Sequence, residues 1–152
     1  MKLIDSELVE LAKKYGNQDN ARDPVVIARY ISTTSPAVWL VTDFDPETGE
    51  AVAYKAGIGD DGWELFNITE LSLLRIPTTT KYYDAASKRE TVRKSFGRVI
   101  RDTVFTPRRL SEVMPDFKES SKDDYPKFSI HDLKEIFGKK PDTERAQAEV
   151  MT

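Results

Sequence analysis

The 152-residue sequence predicts an α+β fold, an antiparallel meander sheet of four to five strands with an N-terminal helix and shorter helices after it. Three observations predict this. Alternating runs at Val38–Phe44 and Ala51–Ile58 flank Asp45-Pro46-Glu47-Thr48-Gly49, where proline presets φ and glycine supplies the positive φ that closes a hairpin. A second tight turn, Gly59-Asp60-Asp61-Gly62, leads into another strand-like run, Trp63–Ile68. Before them, Leu8, Leu11, Ala12 and Tyr15 recur at helical spacing.

The first helix has both ends marked. Asp5 is placed to cap it, Ile4 and Val9 occupy the two positions of a hydrophobic staple, and Gly16 stands at its C-terminal end. Asn17–Asp23 reads as a polar loop, and Val25–Ile31, after Pro24, as a β-branched strand. In the central hairpin Val38, Leu40, Thr42 and Phe44 fall on one face, with Trp39, Val41 and Asp43 on the other. Both faces carry apolar bulk, which predicts a hairpin central to its sheet and covered on both sides. Trp39 and Trp63 are read as core residues.

Later segments are predicted as follows. Thr69 caps a short helix over Leu71–Ile76 that Pro77 stops, and Pro77–Tyr83 is a loop. Asp84 caps a basic helix to about Phe96, with Ala85, Val92 and Phe96 on its buried stripe and Gly97 at its end. Val99–Phe105 is a fifth strand, ended by Thr106-Pro107. Ser129 caps a short C-terminal helix with Ile130, Leu133, Ile136 and Phe137 inward, ended by Gly138. The organisation expected is a core domain over residues 1–113 with a basic helical insertion at about 76–97. An extension follows at 114–138, then a polar tail at 139–152 whose composition predicts disorder.

Composition narrows the chemistry. There is no cysteine, so disulfides, thiolate metal sites and cysteine nucleophiles are excluded. No apolar run approaches the roughly 20 residues that span a bilayer, and Asp5 interrupts any leader-like stretch. A cytoplasmic protein with no membrane partner is expected. The net charge of −3 conceals segregation. Residues 43–70 hold eight acids against Lys55 alone, and residues 75–109 hold ten bases against Asp84, Glu90 and Asp102. The two blocks either meet in the fold or present surfaces of opposite sign.

Four stretches, taken in order, resemble a family of small domains of unknown function recurrent on bacterial plasmids, conjugative elements and phages. They are Asp23-Pro24-Val25-Val26, the run Trp39–Gly49, the run Trp63–Leu71, and Arg101–Pro107 with Leu110-Ser111-Glu112. The likeness spans Leu3 to Val113. It implies a mobile-element or phage origin and a cytoplasmic protein acting in a bacterial cell, and it brings no activity or catalytic residues. Between Leu74 and Val99 the chain is longer and more basic than the pattern, and its extension past Val113 lies outside it.

Each site-like feature has a plainer reading beside it. Asp43, Asp45, Glu47 and Glu50 have the look of an oxygen-ligand site, yet an EF-hand loop needs glycine at its sixth position, where Thr48 stands. A solvated hairpin turn is the plainer account. Lys88, Arg89, Arg93, Lys94, Arg98 and Arg101, with Tyr82, Tyr83 and Phe96 nearby, have the composition of a phosphate-contacting surface. The alternatives are an ordinary charged face and a dock for an acidic partner, within the chain or outside it. The overall pI of about 5.3 weighs against a dedicated DNA binder. His131 is the single histidine, so no His-rich zinc site forms, and Gly57–Gly62 precedes a strand rather than a phosphate-binding helix. No motif calls for a cofactor.

The function expected is that of a non-enzymatic accessory protein of a mobile element or phage that binds a host or element-encoded macromolecule, a protein first of all. Such a protein would modulate host defence or DNA transactions. One alternative is nucleic-acid binding through the basic segment 81–109. A second, from another class, is a divalent-metal-dependent hydrolase using Asp43 and Asp45.

Overall fold

The computed structural model describes Lys2–Pro115, and the expected C-terminal helix, His131 and the tail lie outside these residues. Helix α1 (Ser6–Tyr15) begins where Asp5 accepts the Leu8 N–H at 2.8 Å and ends where the Gly16 N–H reaches the Ala12 carbonyl. Leu8 is its one fully buried residue.

Strands β1 (Val25–Val26), β2 (Ala28–Ser32), β3 (Val38–Phe44), β4 (Glu50–Ala56) and β5 (Gly62–Asn67) follow. Helix α2 (Ile68–Leu73) comes next, then β6 (Ile76–Asp84), β7 (Arg89–Gly97), β8 (Val99–Arg101), β9 (Arg108–Arg109) and the single-turn α3 (Leu110–Val113). The main sheet has the order β5-β4-β3-β2-β8, antiparallel throughout. Among the described residues, β5 and β8 are thus its two edges.

Both faces of the central hairpin are covered. One face carries Tyr30, Trp39, Val41, Phe44 and Ala53 under α1 and α2. The other carries Leu40 with Val26 and Leu110, flanked by Tyr54 and Trp63 in an edge-to-face pair at 5.6 Å. Trp39 is therefore core, and Trp63 is half-buried at the rim of the smaller cluster.

Strict alternation fails at one point. The β3–β4 register steps from Val41↔Ala53 to Asp43↔Val52, so Thr42 is an extra residue with no ladder partner on β4. A one-residue bulge exchanges the faces of everything beyond it. Phe44 accordingly joins Trp39 and Val41 rather than Leu40.

Several boundaries differ from expectation for local reasons. The first predicted strand divides at Ile27, whose N–H bonds the Val41 carbonyl, and β1 turns away to pair with β9. Helix α2 starts earlier, because Asn67 rather than Thr69 supplies the cap, accepting the Thr69 N–H at 2.8 Å. Strand β8 ends at Arg101, where Asp102 begins a turn.

The largest correction concerns the insertion, which is a β-hairpin and not a helix. Asp84 does bond a nearby backbone amide, but it is that of Ala86, two residues on, at 2.9 Å. The same side-chain chemistry serves a helix cap and an Asx turn. Around it, Thr78-Thr79-Thr80, Tyr82-Tyr83 and Thr91-Val92 are β-branched and aromatic residues that favour strands. Pro77 sits inside β6 as a tolerated edge proline instead of stopping a helix.

Candidate functional site

The β6–β7 hairpin forms a two-stranded sheet of its own. Nine residues per strand give it a reach of roughly 30 Å. Its root is fixed to the body: Ile76 is buried, Thr78 Oγ1 donates to Thr34 Oγ1 at 3.1 Å, and the Arg98 N–H bonds Thr33 Oγ1. Beyond that root it is largely exposed.

Cross-strand partners share a face. One face pairs Phe96 with Pro77, Lys94 with Thr79, Val92 with Lys81 and Glu90 with Tyr83. The other pairs Ser95 with Thr78, Arg93 with Thr80, Thr91 with Tyr82 and Arg89 with Asp84. The first is an apolar row interleaved with lysines, and the second a row of arginines among hydroxyls. Phe96 and Tyr83 are each 67% exposed, and Val92 is 50% exposed. The expected buried stripe through Val92 and Phe96 is therefore absent.

The six basic residues expected to act together divide. Lys88 lies in the turn at φ +56°, and Arg89, Arg93 and Lys94 lie on β7, all exposed. Arg98 follows the ribbon and is also exposed. Arg101 does not belong with them. It is buried and pairs with Asp5 and Glu7 of the N-terminal helix, so its role is to fasten α1 to β8. Lys81, on β6, joins the ribbon set. Among the described residues, Lys81, Lys88, Arg89, Arg93 and Lys94 form no ion pair.

The other bases of the segment are engaged close to the body. The Arg108 guanidinium stands over the Phe105 ring at 5.3 Å, and Arg109 donates to the Asp23 carbonyl. Across the same ring, Arg29 lies 5.2 Å from the Phe105 centroid and pairs with Asp102. Hydrogen bonding from Arg29 holds the Asp102 carboxyl below its ordinary range. Burial alone would raise the Asp5 carboxyl, but the Leu8 amide and Arg101 together bring it below its ordinary value.

Asp43 and Asp45 have structural partners. The Gln18 N–H donates to Asp43 Oδ2 at 2.9 Å, and the Glu47 N–H donates to Asp45 Oδ1 at 3.0 Å. Both aspartates are buried, in contrast to the solvated turn that their sequence pattern predicts. Gln18 is buried too. Its Nε2 donates to the carbonyls of Thr42 and Val25, and its Oε1 accepts the Val25 N–H at 2.7 Å. This side chain supplies the bulged Thr42 with the partner that the ladder does not. Among the described residues, no group of three or more His, Asp or Glu is arranged to hold a metal ion.

A shallow groove of about 300 Å³ lies beside α2, between Trp39, Phe66, Leu71 and Leu74. Lys55 and Glu64 pair across it at 3.8 Å. Among the described residues, no helix is long and apolar enough to cross a membrane. Family models, curated proteins and solved structures give no match to this chain.

Proposed function

We propose that this protein binds nucleic acid through the β6–β7 ribbon, as a non-enzymatic accessory factor of a mobile element or phage. The observation that carries the reading is a projecting basic ribbon whose five cations form no ion pair among the described residues and are interleaved with exposed aromatics. A two-stranded ribbon matches the width of the major groove of duplex DNA. Arginine and lysine supply phosphate contacts, and the salt-sensitive part of the affinity comes from them. Tyr82, Tyr83 and Phe96 offer surfaces on which unpaired bases stack.

The net charge of −3 is compatible with this reading because the cations are concentrated on one element. Placing Asp43 and Asp45 inside the fold weighs against the metal-hydrolase alternative, since their carboxylate oxygens receive backbone amides there.

The test is fluorescence anisotropy with a labelled short duplex and with the matching single strand. The wild-type chain is expected to bind, and Arg89→Glu/Arg93→Glu/Lys94→Glu to lose at least tenfold in affinity. Preference for the duplex indicates groove entry, and preference for the single strand indicates stacking. No binding to either, or equal binding by the triple variant, overturns the proposal.

A further inference from the structure

The two faces of the ribbon differ chemically, and the register decides which side chain stands on which. One face carries Phe96, Val92 and Tyr83 in a row, with Lys94 between Phe96 and Val92 and Lys81 directly across from Val92. Successive levels of a strand face are about 7 Å apart, so the row from Phe96 to Tyr83 spans roughly 20 Å. Its two aromatic ends are each 67% exposed. Tyr82, the sequence neighbour of Tyr83, lies across from Thr91 on the other face, which also holds Arg89 and Arg93.

Exposed aromatics aligned on one face mark a binding surface rather than ordinary solvent-facing sheet. The occupant has to be narrow, because Thr79, Lys81, Glu90 and Lys94 interrupt the row and leave no broad apolar patch to enter a bilayer. It has to be anionic, because Lys81 and Lys94 form no ion pair among the described residues and Glu90 is the single acid on this face. It also has to present flat rings, which cover Phe96 and Tyr83 best. Duplex DNA keeps its base faces stacked inside and shows only groove edges and phosphates. An unpaired strand shows base faces and phosphates together.

We infer that the face bearing Phe96, Val92 and Tyr83 is a platform for single-stranded nucleic acid. Unpaired bases stack on Phe96 and Tyr83 while Lys94 and Lys81 meet the phosphates between them. The inference rests on the ribbon being the nucleic-acid-binding element, and it names the form of nucleic acid that this face takes. The arginine face, where Arg93 stands across from Thr80, remains available to duplex phosphates. Single-strand affinity therefore depends on the two rings, and duplex affinity does not.

Fluorescence anisotropy with a labelled single strand, an abasic strand of the same length and the matching duplex provides the test. The wild-type chain is expected to bind the intact single strand at least about tenfold more tightly than the abasic one. Phe96→Ala/Tyr83→Ala, folded by circular dichroism, is expected to lose at least about tenfold in single-strand affinity and to bind the duplex as wild type does. Phe96→Trp/Tyr83→Trp keeps the rings and is expected to match wild type, and Tyr82→Ala, on the opposite face, is expected to leave single-strand affinity unchanged. Equal affinity for intact and abasic strands overturns the inference, as does a Phe96→Ala/Tyr83→Ala variant that weakens both nucleic acids alike or neither. Ring-dependent binding to phosphatidylserine vesicles without single-strand binding also overturns it, and assigns the face to a membrane surface. Duplex binding without single-strand binding overturns this inference alone and leaves the nucleic-acid reading standing, whereas binding to none of the three strands overturns both.

Discussion

Thr34 Oγ1 occupies the position where a Cβ on Gly97 would fall, only 1.9 Å from it, while also accepting the Thr78 hydroxyl. The root of the ribbon is therefore packed against the turn between β2 and β3 with no space for a side chain at Gly97. Gly97→Ala is expected to cost about 1–3 kcal/mol through overpacking and to shift the amide resonances of β6 and β7. Adding Thr34→Gly removes the clashing atoms and is expected to restore those resonances. Heteronuclear NMR of the single and double variants checks this, and unchanged β6 and β7 spectra in Gly97→Ala contradict it.

Gln18 ties the loop after α1 to the bulge in β3. Truncation to alanine strips the buried Thr42 and Val25 groups of their partners, and each such group costs about 1–3 kcal/mol. Chemical denaturation of Gln18→Ala is expected to show a loss of about 2–4 kcal/mol in total. Gln18→Glu is expected to be no better, because a carboxylate cannot donate to the two carbonyls that Nε2 serves.

Acid sensitivity follows from Asp102 and Asp5. Both carboxyls titrate below their ordinary values in the folded chain. A depressed folded-state value means that the unfolded chain binds the proton more readily, so the stabilisation is present above a pH of about 4 and is lost as pH falls through the folded values. Asp102→Asn is expected to unfold more easily at neutral pH, by about 1 kcal/mol, and to show a flatter decline below pH 4. Urea midpoints measured from neutral to acid pH for wild type and Asp102→Asn would reveal parallel curves if the Arg29–Asp102 pair contributes nothing.

The legible parts of the fold were those fixed by short-range chemistry. Asp5 and Gly16 bound α1 because cap geometry involves residues within one turn. The Asp45–Gly49 turn likewise carries its own instructions, with Gly49 at φ +82°. The bulge at Thr42 was not legible, since it exists only against the register of β4 and through the distant Gln18. The extended form of the ribbon is hidden in the sequence because the Asp84 bond is shared by caps and turns, and because Val92 and Phe96 also fall at helical spacing.

The candidate site was half visible for the same reason. A local count of charge is enough to mark Lys88, Arg89, Arg93 and Lys94 as a basic group. Burial of Arg101 depends on Asp5 and Glu7 at the other end of the chain, and no local pattern announces it. The exposed row of Phe96, Val92 and Tyr83 becomes apparent only once the segment is known to be extended.

The salt dependence of nucleic-acid affinity tests the central claim most directly. Each phosphate contact on duplex DNA contributes about 0.9 to the log–log slope. If most of Lys81, Lys88, Arg89, Arg93 and Lys94 engage phosphates, the wild-type slope is expected near −3 to −4. Removing one of them, as in Lys94→Ala, is expected to make it shallower by about 1. A slope near zero, or one that Lys94→Ala and Arg93→Ala leave unchanged, would contradict the assignment of the ribbon as the binding element.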